Sequence, residues 1–140
     1  MKPSEIVKTI KVHKLLGGTI YVAGNGGSSA ECDHMVSEFL THGIPAVSLN
    51  NPATITAIAN DYSYDDIFAK QLQVLANHED SLFIGLSTSG KSKNILKAYR
   101  YCIKNRICYI DWPRKGKDTA EIQEFQLKLM HKVYKKLTNG

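Results

Sequence analysis

The stretch SLFIGLSTSGKSKNILKAYRYC, residues 81–102, contains the order of elements that decides the fold. It begins with a continuous apolar run, passes through a short segment rich in serine and glycine, and continues with the spacing of an amphipathic helix. A buried strand, a short loop and a helix in this order form the repeating unit of α/β proteins. We therefore expect this segment to be one such unit within a larger α/β domain.

The same unit occurs elsewhere in the chain. TIYVAG (19–24) predicts a second buried strand, GNGGSS a loop, and AECDHMVSEFLTHG a helix whose start carries the capping-box pattern Ser28-x-x-Glu31. Further strands are predicted at 45–50 and 107–111, and further helices at 4–16, 67–78 and 118–137. Strands that alternate with helices predict a three-layer α/β sandwich with a mostly parallel sheet, here as one domain over residues 1–140.

Composition narrows the class of protein. The chain has 140 residues, a formal net charge of +5 and three cysteines without C-x-x-C spacing, so we expect neither a disulfide framework nor a cysteine metal site. No apolar run is long enough for a membrane span, and the N-terminus does not resemble a signal peptide, which predicts a cytoplasmic protein without a membrane partner. Basic residues are concentrated after Lys91, but no aromatic-basic RNA signature accompanies them, so small anionic substrates are favoured over nucleic acid.

Two loops in this pattern suit an anion. GLSTSGKS (85–92) opens a predicted helix and offers four hydroxyls, from Ser87, Thr88, Ser89 and Ser92, beside the free N–H groups of the helix start. It also fits G-x-x-x-x-G-K-[ST], the phosphate loop of nucleotide hydrolases, and Asp111 follows a later apolar run as a magnesium ligand would. Gly85 lies inside the apolar run rather than after it, which counts against nucleotide binding. The glycines of GNGGSS let a ligand approach the backbone closely, or form a tight turn.

Polar pairs on two predicted helices suggest chemistry. His34 and Glu38 lie four residues apart on the helix after GNGGSS, where they share a face and can hold a metal ion or transfer a proton. Gln123 and His131 lie eight residues apart on the last helix and face roughly one way. A solvated surface pair is the alternative in each case.

Four blocks together resemble the phosphoheptose isomerases, which are sugar-isomerase (SIS) domain enzymes of bacterial heptose synthesis. The blocks are GNGGSSAECDHMVSEFL, TAIANDYSYDDIFAKQL, LSTSGKSKNILKAYR and TAEIQEFQLKLMH, and they are spread over residues 24–131, well over half of the chain. The resemblance implies a SIS-type, flavodoxin-like fold and interconversion of sedoheptulose 7-phosphate and D-glycero-D-manno-heptose 7-phosphate. It further implies a cytoplasmic homotetramer with active sites between subunits, one zinc ion in each site, and heptose destined for lipopolysaccharide or capsule.

The resemblance also assigns roles to residues. It implies that Glu38 is the general base and His131 the general acid, and that His34, Glu38, Gln123 and His131 are metal ligands. The implied substrate-binding set, which Glu38 and Gln123 also join, contains Asn25, Gly26, Gly27, Asn60, Asp61, Ser87, Thr88, Ser89 and Ser92. Lys91 stands where the family usually has asparagine. The chain lacks about one helix-and-strand unit of the family, which leaves a non-catalytic SIS module that binds a sugar phosphate or a protein as the alternative.

Overall fold

The structure is a computed structural model, and it describes residues 1–139. Within this range the chain forms six α-helices and four strands. The helices are α1 (Pro3–Leu15), α2 (Gly27–Thr41), α3 (Pro52–Asp61), α4 (Ile67–Leu75), α5 (Lys93–Lys104) and α6 (Thr119–Thr138). The strands are β1 (Ile20–Gly24), β2 (Ala46–Ser48), β3 (Leu82–Leu86) and β4 (Cys108–Asp111), and a 3₁₀ turn covers Tyr64–Asp66. None of these helices is both long and apolar enough to cross a membrane.

The four strands form one parallel sheet in the order β2-β1-β3-β4. This is the order of the first four strands of a flavodoxin-like sheet, so the ICYID segment occupies the fourth place, beside β3. Gly24 at the end of β1 pairs with Leu86 at the end of β3. The loops that follow these two strands therefore meet at the carboxyl edge of the sheet, where ligands bind in such folds.

Two hydrophobic cores cover the two faces of the sheet and make the fold a three-layer sandwich, as the sequence predicts. One core contains side chains of α1, α2 and α6, among them Ile6, Ile10, Met35, Phe39, Met130 and Val133. The other contains side chains of α4 and α5, among them Phe68, Leu72, Ile95, Ala98 and Cys102. Trp112, directly after β4, is only 1% exposed and fixes the link to α6 against the first core.

The largest differences from the predicted helix ends occur at two places. The predicted capping box at Ser28 is wrong: α2 begins at Gly27, and its N-cap Gly26 has φ 56° and no side-chain cap hydrogen bond. The left-handed glycine turns the chain directly into the helix and buries Ser28 in its first turn. Helix α4 ends at Leu75 instead of 78, because Ala76 is already extended. Asp118, the first residue of the predicted last helix, is the N-cap of α6 and accepts a hydrogen bond from the Glu121 amide at 2.9 Å.

Candidate active site

The loop between β3 and α5, residues 87–92, folds around its own hydroxyls; we call it the phosphate loop. Ser87 Oγ accepts a hydrogen bond from the Gly90 amide at 3.0 Å and lies 3.3 Å from Ser92 Oγ. Ser89 Oγ accepts one from the Lys91 amide at 3.0 Å. Gly90 has φ 69°, a conformation that suits glycine, and it closes the turn. The loop thus gathers the predicted hydroxyls, with that of Thr88, in one turn, in which Ser87 is buried and Ser89 is exposed.

The start of α5 leaves donors free for an anion. Ser92 is the N-cap residue with extended backbone, and its side chain makes no cap hydrogen bond. The first N–H groups of a helix have no intrahelical partner and carry a partial positive charge. The phosphate loop and the start of α5 together therefore form a suitable cradle for a phosphate group.

The second loop, after β1, lies beside the phosphate loop and is held by side chains from two other elements. Asn25 and Asn94 exchange hydrogen bonds of 2.9 Å in both directions, and the Tyr64 hydroxyl donates to Asn25 Oδ1 at 2.9 Å. The Gln123 amide lies directly on Gly27, where an added Cβ would come within 2.4 Å of Gln123 Nε2. Of the predicted substrate residues, Asn25, Gly26, Gly27 and Gln123 are thus brought together.

Helices α2 and α6 run side by side in the same direction and bring three predicted site residues together farther along. The rings of His34 and His131 lie 5.4 Å apart between centroids. Glu38 Oε1 is 3.8 Å from His34 Nε2, and Glu38 Oε2 is 3.9 Å from His42 Nδ1. Glu38 and His131 line one cavity of about 250 Å³ on this face. A carboxylate and an imidazole that share an open cavity form a pair suited to moving protons.

The two groups of residues are well separated within one chain. Gly27 and Glu38 are eleven residues apart on α2, which at about 1.5 Å per residue corresponds to about 16 Å along the helix axis. By the same rise, Gln123 and His131 are about 12 Å apart along α6. The remaining predicted residues, Asn60 and Asp61, are exposed at the end of α3, close in sequence to the 3₁₀ turn.

The predicted metal ligands do not form a metal site within the described chain. Two imidazoles and a carboxylate are donors that zinc accepts, and His34, Glu38 and His131 are neighbours. Gln123, however, is turned toward Gly27 at the other end of the helix pair. Across residues 1–139, no group of three or more histidine, cysteine, aspartate or glutamate side chains is arranged to hold a metal ion. The donors therefore do not fit one ion as they stand.

Glu31 is an ionisable residue of α2 that the sequence analysis did not select as a site residue. Its Oε2 is buried without a hydrogen-bond partner, and burial raises the pKa of the carboxyl from its ordinary value to about 7. Desolvation without a compensating charge disfavours the ionised form. Glu31 lies one turn before His34 and Met35 on the same helix, so it is close to the side of α2 that carries His34 and Glu38.

The geometry of β3 argues against a nucleotide-hydrolase loop. Gly85 lies within the strand, paired with Ala23 on one side and Asp111 on the other. A Cβ at position 85 would come within 2.2 Å of the Tyr99 hydroxyl, so close packing explains the glycine. Asp111 forms an ion pair with Arg114, in which its Oδ1 lies 2.7 Å from Arg114 Nη1. The resemblance of GLSTSGKS to a nucleotide phosphate loop therefore rests on Lys91 and on a packing glycine.

Two residues of the site were missed in the sequence. Asn94 is 2% exposed, and it carried a signal: an amide on the buried face of a helix beside Ile95 and Ala98. Tyr64 carried none, because its partner Asn25 is thirty-nine residues away and its own ring is exposed.

Comparison with known proteins identifies the class to which this fold and its hydroxyl-rich loop belong. A family model described as the SIS domain matches residues 5–107. Two structures of phosphoheptose isomerases superpose on 99% of this chain and 85% of their own chains. The one from Neisseria gonorrhoeae has a TM-score of 0.93 at 25% identity, and the one from Francisella tularensis 0.91 at 27%.

Sequence relatives narrow the class further. A phosphoheptose isomerase from Burkholderia pseudomallei is 40% identical over an alignment 140 positions long, which covers 84% of this chain and 71% of the relative. One from Thermodesulfovibrio yellowstonii is 38% identical over an alignment 138 positions long, which covers 82% of this chain and 68% of the relative. The chain belongs to the phosphoheptose isomerase family of SIS domain proteins.

Proposed function

We propose that the protein is an aldose–ketose isomerase that interconverts sedoheptulose 7-phosphate and D-glycero-D-manno-heptose 7-phosphate. The observation that carries the proposal is the shared cavity of Glu38 and His131, the residues that match the family's base and acid. Family membership at 40% identity to a phosphoheptose isomerase supports the same activity. The phosphate loop supplies the anchor that a sugar phosphate requires.

The reaction moves one proton between two neighbouring carbons. The Glu38 carboxylate removes the proton from C1 of the ketose, and the electrons of the broken C–H bond form the C1–C2 double bond of an enediol. His131 donates a proton to the C2 oxygen and accepts the proton of the C1 hydroxyl. Glu38 then returns its proton to C2, which leaves the aldehyde at C1. Such positioned proton transfers contribute roughly 10²- to 10⁴-fold to a rate.

The phosphate loop aligns the substrate for these transfers. Its hydroxyls and the start of α5 bind the C7 phosphate, so that binding energy far from the reacting carbons fixes C1 and C2 beside the base. Asn25 is held by hydrogen bonds to Asn94 and Tyr64, and we expect it to contact the hydroxyls of the sugar.

Distances within one chain support an active site shared between two copies. The six carbon–carbon bonds of the heptose, each about 1.5 Å, span at most about 9 Å, which is less than the separation of about 16 Å along α2. The carbon chain of the heptose, without its phosphate group and without the Glu38 side chain, is therefore shorter than the separation between the start of α2 and Glu38. We therefore propose a homo-oligomer, a tetramer by family resemblance, in which one copy anchors the phosphate and another supplies Glu38 and His131.

Mixing two inactive variants tests the shared site. One carries Glu38→Gln and the other Ser87→Ala with Ser92→Ala. If the variants are unfolded and refolded together, a site between copies regains up to about a quarter of the wild-type activity, since random assembly pairs intact halves at that frequency. Sites within single chains regain none, and that outcome refutes the shared site without refuting the isomerase.

Turnover of sedoheptulose 7-phosphate by the purified protein is the direct test, measured with added zinc and with chelator. Formation of the aldose, lost in the Glu38→Gln variant, is the expected result. A folded protein that binds the sugar phosphate without turnover is instead a binding module, the alternative that the shortened chain leaves open.

Zinc, location and pathway stay predictions from the family resemblance. For His34, Glu38, Gln123 and His131 to hold one zinc ion, Gln123 must come from another copy or turn away from Gly27. None of the proton transfers above depends on zinc. Added zinc should bind in a wild-type protein and fail to bind in a His34→Ala variant, as metal analysis after dialysis can determine. A cytoplasmic location and delivery of the heptose to lipopolysaccharide or capsule are expected on the same basis.

A further inference from the structure

The link between β4 and α6 lies against the phosphate loop, although the reaction above gives it no role. Arg114 donates to both carboxylate oxygens of Asp111, from Nη1 at 2.7 Å and from Nη2 at 2.9 Å. Its Nη1 also lies 3.5 Å from the Ser87 carbonyl oxygen, at the start of the loop. The guanidinium thus joins the last residue of β4 to the first residue of the phosphate loop.

Gly90 shows how closely the guanidinium approaches the loop. A Cβ at position 90 would lie 3.0–3.1 Å from Cζ, Nε and Nη2 of Arg114. A planar guanidinium at this distance from a backbone supports the turn sterically as well as by its charge. Because the side chain is only 30% exposed, the loop and the protein surface restrict its movement.

The position of Arg114 is itself fixed from several sides. Trp112, two residues earlier, is buried; its amide donates to the Gly85 carbonyl at 3.0 Å and its indole Nε1 to the Gln126 carbonyl at 3.1 Å. Asp111 accepts a further hydrogen bond from the buried Tyr99 hydroxyl at 3.0 Å. The hydrogen bonds that Arg114 donates to Asp111 raise the pKa of Arg114, so the guanidinium stays charged.

We propose that the Asp111–Arg114 pair is a brace that holds the phosphate loop in its phosphate-binding shape, with Arg114 as a positioning residue for substrate anchoring. The inference rests on the proposed role of the loop as a phosphate anchor. A bidentate pair fixes the guanidinium plane, which a lysine ammonium cannot reproduce because it is a point charge on a flexible stem. The brace therefore depends on the fork of arginine and on its carboxylate partner together.

Four variants test the brace: Arg114→Ala, Arg114→Lys, Asp111→Asn, and Lys115→Ala as the control. Lys115 is an exposed basic neighbour in the same link. For the first three we expect KM to rise about tenfold with kcat within about twofold of wild type, the pattern of lost uniform binding. The dissociation constant for inorganic phosphate should rise by the same factor, and amides 88–91 should exchange hydrogen faster. Lys115→Ala should match wild type in all four measurements.

The phosphate measurement separates failure of the brace from failure of the proposed isomerase. A wild-type protein that binds phosphate without turnover refutes the isomerase, while the variants still test the brace. Wild-type phosphate affinity in Asp111→Asn together with a loss in Arg114→Ala overturns the brace, because the charge alone then accounts for binding. Unchanged phosphate affinity in both variants overturns it as well. Asp111→Asn leaves the Arg114 side chain itself in place. This variant therefore remains informative if Arg114→Ala does not fold.

Discussion

The two ends of helix α2 are built in different ways. At its start, the phosphate loop and the GNGG turn are made largely of backbone, glycines and short hydroxyl side chains, each held by hydrogen bonds within the same chain. Near its end, Glu38 and His34 are long side chains on a helix surface, with 34% and 44% of the side chain exposed. The start of α2, which we call the anchoring end, is held by contacts within one chain. The part near Glu38, which we call the reactive end, is open to solvent. Preorganisation is thus strongest where we propose that the substrate is anchored.

Glu38→Gln gives the largest expected effect and changes only the reactive end. Turnover should fall by at least about a hundredfold, because glutamine cannot accept the proton from carbon. The midpoint of thermal unfolding and the affinity for inorganic phosphate should stay at wild-type values. Glu124→Gln, an exposed carboxylate on α6, serves as the control. Near-normal turnover in Glu38→Gln would contradict the assignment of the base.

Gly85→Ala changes the anchoring end through β3, the strand that leads into the phosphate loop. A Cβ would overlap the buried Tyr99 hydroxyl, so we expect a loss of about 2–3 kcal/mol in the free energy of unfolding, together with weaker phosphate binding. Chemical denaturation measures the loss. In a double-mutant cycle with Tyr99→Leu, the pair should lose less than the sum of the single variants. Strict additivity would show that the two residues are not in contact.

Glu31→Gln tests how a carboxyl between the two ends of α2 affects stability, since Glu31 has no role in the proposed proton transfers. The carboxyl has its pKa raised to about 7 in the folded state, so the folded chain is favoured while the group is protonated, and stability is lost as pH rises through about 7. The variant lacks this loss and should be more stable than wild type above pH 7 by on the order of 1 kcal/mol, after a discount for partial exposure. Near pH 4 the two should be equal. A gain that does not depend on pH would contradict the assignment.

Lys91→Asn gives the smallest expected effect and contrasts a free cation with the braced Arg114. Lys91 is exposed, and no ion pair described for residues 1–139 includes it. KM should therefore change by less than about threefold, and salt should reduce the difference further, as expected for a screened surface charge. A tenfold change in KM that persists at high salt would show that Lys91 contacts the phosphate directly.

Local sequence patterns predicted most of the fold and part of the site. Alternation of apolar strands and amphipathic helices predicted the parallel sandwich, and the hydroxyls beside a helix start predicted the anion cradle, because both depend on residues near one another in sequence. The start of α2 was predicted wrongly because Gly26, not a serine side chain, sets it. The contacts of Tyr64 with Asn25 and of Arg114 with Gly90 join distant segments, which sequence spacing does not reveal.

The packing of α6 on α2 has a kinetic consequence. The Tyr134 hydroxyl donates to the Met35 carbonyl across a separation of ninety-nine residues, whereas β1, its glycine turn and α2 are contiguous. Contacts that close long loops form late in folding, since the chain loses more entropy before they are made. During refolding, the anchoring end should gain protection from hydrogen exchange first and α6 last. The protein would then acquire its capacity to bind phosphate before it acquires the paired base and acid.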